Sequence, residues 1–181
     1  MDSTHLPVVI VLACGRGERF LASGGSTHKL RALLAGQPVL SHTLQTARAS
    51  GLAVHLVEGE SAGMGDSIAN GVRATVGAAG WLVLPGDLPL VQAQTLLEVA
   101  HSLQRHSVVV PMCQGQKGHP VGFSSACRDD LLQLSGDVGA ASVTKKYGAR
   151  LLEVDDVGCI LDVDTVYDLA RAEQFLLAGR R

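Results

Sequence analysis

Apolar residues are gathered along this chain into short runs separated by longer segments of mixed character. Runs rich in valine, isoleucine and leucine, bounded by turn residues, occupy 8–12, 52–57, 81–84, 107–112 and 121–123. Their length and β-branched content predict buried strands. The intervening segments predict helices over 39–50, 66–76, 92–104, 126–134, 138–147 and 166–177. Pro38 is placed to open the first of these and Gly51 to end it, while Asp66 or Ser67 begins the second. Segments 149–154 and 159–163 read as extended, 59–65 as a loop, and 22–27 as a flexible tract of small residues.

Strands alternating with helices of this length imply an α/β fold, with a parallel sheet covered by helices on both faces. Ligands of such sheets sit beyond the carboxyl ends of the strands. The loops after Leu12, Leu84 and Ile160 are therefore expected to meet at one edge. No linker, repeat or low-complexity stretch interrupts the pattern, so 1–181 reads as a single domain large enough for a continuous core.

Composition narrows the partners. Of the residues, 46% are apolar and 18% charged, which argues against disorder. A net charge of −2 provides no electrostatic case for nucleic acid or an anionic membrane. No apolar run approaches the roughly 20 residues of a membrane span. Asp2 stands where a signal peptide would be basic. Cys14, Cys113, Cys127 and Cys159 lack CxxC spacing and are expected as free thiols, with the cytoplasm as the compartment.

The densest chemistry follows the first strand, in VVIVLACGRGERFLASGGSTHK. Gly15 and Gly17 allow backbone amides to approach an anion, and Arg16, Arg19 and Lys29 can neutralise it. Phe20 occupies the third glycine position of the dinucleotide fingerprint, and no Gly-Lys-Ser/Thr follows, so neither a dinucleotide loop nor a P-loop is written here. The loop is compatible with a triphosphate cradle or a plain turn. Asp87, in LPGDLPLV, is placed either to hold a hard cation such as Mg²⁺ or to cap its own turn. Asp162 and Asp164 lie two apart in an extended segment and can face one metal. Alternatively, Asp164 or Thr165 is the N-cap of the last helix, with Asp168 in its first turn. Of the pair, Asp164 is preferred as the ligand. Gly63-Met64-Gly65-Asp66-Ser67 enters a helix whose free amides suit a ribose, base or phosphate, or is simply a glycine-rich approach to it. Gly118-His119-Pro120 places His119 at a pocket edge or in a structural turn, and Gly136-Asp137-Val138-Gly139-Ala140 leads into another helix.

The ordered set VLACGRGERF, Lys29, GMGDSIANGVRA, LPGDLPLV, KGHPVGFS, SGDVGAASV and LDVDTVYDLARA resembles the MobA-like NTP-transferase family, and within it the molybdenum-cofactor cytidylyltransferases. The resemblance implies a Rossmann-like, three-layer nucleotidyltransferase fold with a mostly parallel sheet. It also implies transfer of CMP from CTP to a molybdopterin phosphate, with Mg²⁺ and release of pyrophosphate, and with a molybdoenzyme as client. By motif position, Arg19, Lys29 and Asp87 would be catalytic, and Asp87 and Asp164 would hold the metal. Leu12, Ala13, Cys14, Gly15, Gly17, Arg19, Lys29, Gly63, Met64 and Ser67 would bind the nucleotide. Gly118, His119, Pro120, Gly136, Asp137 and Gly139 would lie on the acceptor side. An acceptor that is a sugar or polyol phosphate, or a non-catalytic nucleotide-binding accessory, is the alternative. Cys14 stands where the family has alanine, the loop before Lys29 is lengthened, and few residues join strand 52–57 to Gly63, where the family carries a further helix and strand.

Overall fold

Strands whose two faces are both covered must be apolar at every position, and the first strand is. In the computed structural model, which describes residues 6–59 and 63–178, Val9, Ile10 and Val11 of β1 (Val8–Ala13) have no exposed surface. The chain continues through α1 (Glu18–Ala22), a small hairpin of β2 (Leu33–Leu34) and β3 (Gln37–Pro38), α2 (Val39–Ala49), β4 (Ala53–Glu58) and α3 (Met64–Ala74). Next come β5 (Gly80–Pro85), α4 (Ala93–Ser102), β6 (Val108–Cys113), β7 (Gln116–Lys117) and β8 (Val121–Ser124). The last elements are α5 (Arg128–Leu132), α6 (Ala141–Tyr147), β9 (Arg150–Glu153) and α7 (Val166–Ala178). Among the described residues no helix is long and apolar enough to cross a membrane.

The seven-stranded sheet runs β4-β1-β5-β8-β6-β7, with β9 beside β6. β4, β1, β5, β6 and β9 share one direction, while β8 and β7 run against it. The sheet is thus mostly parallel, as expected, with reversed strands that the alternation of runs did not predict. Successive side chains point to opposite faces. Val9, Val11, Leu82, Leu84 and Val109 pack with α2 and α4 on one side, and Ile10, Trp81, Val83, Val108 and Val110 pack with α3, α5 and α6 on the other. The result is three layers.

A third apolar cluster joins Phe20, Leu30, Leu34 and Val39 to Val163 and Ala172. It holds the segment after β1 against α7, and so fixes where Lys29 and Asp164 can lie. The expected meeting of loops is present: the Gly86 amide donates to Leu12 O at 2.9 Å, and the Val163 amide to Asp87 O at 2.9 Å.

Several boundaries differ from expectation. Residues 18–22, read as loop, form α1. The predicted helix 126–134 is a 3₁₀ turn, Ser125–Cys127, followed by the short α5, and the predicted helix 138–147 begins only at Ala141. Of the predicted loop 59–65, residues 60–62 lie outside the described residues. The predicted extended segment 159–163 instead starts in a 3₁₀ turn, Val157–Ile160. The cause is Asp156, only 2% exposed, which accepts from the Gly158 amide at 2.9 Å, the Gln92 amide at 2.9 Å and Thr95 Oγ1 at 2.6 Å.

Because the buried Asp156 satisfies three donors, two of them in fully buried hydrogen bonds, Asp156→Ala should lower the unfolding free energy by about 3 kcal/mol. Urea denaturation tests this through a reduced midpoint at unchanged slope. An unchanged midpoint would contradict the anchoring role.

Candidate active site

The turns after β1 and β5 and the segment before α7 open onto a cleft of about 780 Å³. At its floor the Lys29 ammonium stands 2.5 Å from Asp87 Oδ2 and 2.6 Å from Asp164 Oδ1. Arg19 Nη1 reaches Asp164 Oδ2 at 2.5 Å from a side chain that is 80% exposed, so this second pair contributes little to stability. Burial opposes the charge on Lys29, but the charges of Asp87 and Asp164 and their hydrogen bonds outweigh it, and the lysine pKa lies above its usual value. Lys29 is therefore an ammonium throughout the neutral range.

Local structure explains how a lysine beyond a glycine loop is held there. His28 Nδ1 accepts from the Leu30 amide at 3.3 Å, so its other ring nitrogen is the donor to Gly15 O at 2.6 Å. Gly17 has a φ of 66°, and a Cβ there would meet the His28 ring at 3.2 Å. The imidazole thus pins the lysine's turn, Lys29–Arg31, to the loop after β1. His28 was not among the residues singled out from the sequence, because its partner is a backbone carbonyl 13 residues away.

The carboxylates are arranged for a cation. Asp87, Asp162 and Asp164 each offer an oxygen within 4.8 Å of the others. Asp87 Oδ1 is buried with no hydrogen-bond partner, so the turn-capping alternative for Asp87 does not hold. Burial and the neighbouring Asp164 and Asp87 charges push the Asp162 carboxyl up. A buried, unpaired carboxylate oxygen among three carboxylates fits a hard divalent ion. The capping alternative for Asp164 is also settled. Thr165 Oγ1 accepts from the Asp168 amide at 3.2 Å, while Asp168 Oδ2 accepts from the Thr165 amide at 2.9 Å. This reciprocal cap leaves the Asp164 side chain to Lys29 and Arg19.

On the other wall, Gly63, Met64 and Ser67 line the cleft together with Leu12, Cys14, Gly15 and Gly17. The amides expected to be free at the start of α3 are partly taken: Gly65 N donates to Gly136 O at 2.8 Å, and Ser67 N to Gly63 O at 3.2 Å. Asp66, read from the sequence only as a helix start, accepts from the Gly136 amide at 2.7 Å. A Cβ at Gly63 would stand 2.2 Å from Gly136 C and O, and one at Gly65 2.6 Å from Val138 O. The GMG and GDVG segments are therefore packed on each other. Of the latter, Asp137 lines the cleft, while Gly136 and Gly139 lie behind it against Gly63 and Met64.

His119 and Lys117 also line the cleft; Ala13, Gly118 and Pro120 are not part of it. Gly118 lies against Cys159, whose carbonyl accepts from the His119 amide at 2.9 Å. Burial holds the His119 imidazole below its usual pKa, with the Asp87 charge pulling the other way. Its Nδ1 is buried without a partner.

The sequence profile of the MobA-like NTP transferase domain matches residues 9–151. The bifunctional protein GlmU of Xanthomonas oryzae pv. oryzae is 31% identical over 144 residues, which cover 67% of this chain and 30% of that protein. The chain thus spans under a third of the curated relative it matches. The crystal structure of Rv0371c from Mycobacterium tuberculosis H37Rv superposes with a TM-score of 0.77 at 25% identity, covering 93% of this chain and 97% of that one. A complex of Rv0371c with manganese gives 0.75 at 25% identity, covering 93% and 98%. The molybdopterin-guanine dinucleotide biosynthesis protein A of Archaeoglobus fulgidus shares the fold, with a TM-score of 0.71 at 15% identity over 94% of this chain and 99% of that one.

Within a helix, alanine is favoured over glycine by about 1 kcal/mol. At Gly65 the contact with the 135–138 backbone should reverse that sign, so Gly65→Ala is expected to destabilise by about 2 kcal/mol. Thermal or urea unfolding decides, and a stabilised Gly65→Ala protein would refute the close packing.

Proposed function

The chain belongs to the family of MobA-like NTP transferase domains, and on that premise we propose that it transfers CMP from CTP to the phosphate of a molybdopterin-type acceptor, releasing pyrophosphate. The observation that supports this most is the opposition of Lys29 and Arg19 to Asp87 and Asp164 at the mouth of the glycine loop. It unites the cations a triphosphate needs with the carboxylates its metal needs. The choice of CTP and of a molybdopterin rests on the ordered motifs that resemble the cytidylyltransferases.

In this reading Asp87 and Asp164 hold Mg²⁺, with Asp162 beside them. When bound, the ion supplies charge neutralisation to the phosphate oxygens. The amides around Gly15 and Gly17 cradle the triphosphate, and Gly63, Met64 and Ser67 flank the nucleoside. An acceptor phosphate oxygen forms the new bond to the α-phosphorus as the α–β bridging bond breaks, and pyrophosphate leaves with that electron pair. Arg19 and Lys29 stabilise the charge growing on the leaving group. The acceptor phosphate is already ionised near neutral pH, so no general base is needed. The four free thiols accord with a cytoplasmic setting.

A second reading keeps the same centre and changes the acceptor to a sugar or polyol phosphate. The family match supports nucleotidyl transfer without fixing the acceptor. A third reading, a nucleotide-binding accessory to a molybdoenzyme, needs no turnover at all.

Pyrophosphate release separates the readings. CTP with molybdopterin should give turnover above sugar or polyol phosphates, while tight nucleotide binding without any pyrophosphate would favour the accessory. Lys29→Ala should reduce turnover by about 100-fold with the fold intact, and Asp87→Asn should abolish metal-dependent turnover. In thermal-shift measurements with Mg²⁺, CTP should stabilise the protein more than GTP does, and the reverse order would contradict the cytidylyl assignment.

A further inference from the structure

Two of the oxygens at the carboxylate cluster, Asp87 Oδ2 and Asp164 Oδ1, are already engaged by a cation of the chain's own, while Asp87 Oδ1 has no partner. Lys29 Nζ bridges Asp87 Oδ2 at 2.5 Å and Asp164 Oδ1 at 2.6 Å, from a side chain only 13% exposed. A metal on the same carboxylates would stand close to this ammonium, and two cations so close repel strongly. The lysine's backbone is not free to retreat. His28 ties its turn to Gly15, and Leu30, 6% exposed, is sunk in the cluster shared with α7. The four-carbon stem is the part left to turn, and the cleft it lines also carries Gly15 and Gly17.

We propose that Lys29 is a built-in placeholder for the metal: its ammonium keeps a divalent cation off Asp87 and Asp164 until the phosphates of a nucleotide draw the lysine away, so that metal and nucleotide bind in concert. The inference rests on the metal reading of Asp87 and Asp164 given above. Charge provides the reason. Three carboxylates balanced in part by Lys29 and Arg19 hold a further cation poorly, whereas phosphates bring the negative charge that lets the lysine and the metal coexist. Coupling of this kind is reciprocal, so the metal also tightens the nucleotide. Lys29 would then set the order of assembly in addition to stabilising the leaving group.

The test is Mn²⁺ binding without nucleotide, read from the electron paramagnetic resonance of the free ion. Lys29→Met should bind Mn²⁺ tighter than the wild type by about tenfold or more, because the competing charge is gone. Lys29→Gln should do the same, and Lys29→Arg, which keeps the charge, should stay close to the wild type. Thermal unfolding offers a second readout: Lys29→Met should melt below the wild type without metal and gain more from added Mn²⁺. A residue that only braced the fold would weaken Mn²⁺ binding when lost, so a folded Lys29→Met or Lys29→Gln protein with unchanged or weaker affinity overturns the proposal. Addition of Asp87→Asn to Lys29→Met should remove the tight binding; if it does not, the metal reading itself fails, and the placeholder with it.

Discussion

One ammonium group gathers three distant parts of the chain. Lys29 lies 58 residues from Asp87 and 135 from Asp164, and both carboxylates meet at its Nζ. Charges this sheltered are tolerable only in company, since removal of one partner leaves the others uncompensated at a cost of several kcal/mol. The turn after β5, the segment before α7 and the loop after β1 therefore cannot settle independently. The constraint that completes the fold at this edge is also the one that assembles the chemistry.

The rest of the architecture makes that meeting possible. A sheet buried on both faces sets the ends of β1 and β5 side by side, and Gly86 brings the turn in close: a Cβ there would stand 2.8 Å from Leu40 Cδ1 and 3.0 Å from Leu12 O. Thr43, wholly buried in α2, donates to Gly86 O at 2.9 Å and fixes the same turn from beneath. Asp156 anchors the opposite approach, bending the chain that leads to Asp162 and Asp164 against the start of α4. Opposite these, the packing of GMG on GDVG sets the wall that faces the glycine loop. The floor holds charge, and the walls are backbone held at van der Waals distance.

Much of this was legible in the residues. Strands covered on both sides announce themselves as unbroken apolar runs, and the rule that ligands gather at carboxyl ends foretold the meeting of the loops after Leu12, Leu84 and Ile160. The direction of β8 was not legible: it spans four residues, and its antiparallel pairing with β5 and β6 is decided by the sheet. The 3₁₀ turn at Val157–Ile160 was hidden because its cause, Asp156, acts through Gln92 and Thr95, more than 60 residues away. The role of Asp164 could have been read more sharply, for Thr165 and Asp168 have the spacing of a reciprocal cap, which leaves Asp164 to other partners. His28 escaped notice, and Asp66 was read only as a helix start, because their partners are backbone atoms of other loops.

The central claim is that a metal and a triphosphate share the edge where Lys29, Asp87 and Asp164 meet. A crystal structure with CTP and Mn²⁺, with the metal located by its anomalous scattering, tests it most directly. The account predicts manganese on the carboxylates of Asp87 and Asp164, the triphosphate along Gly15 and Gly17, and the Lys29 ammonium turned onto phosphate. Manganese elsewhere, or a triphosphate bound away from the mouth of β1, would contradict it.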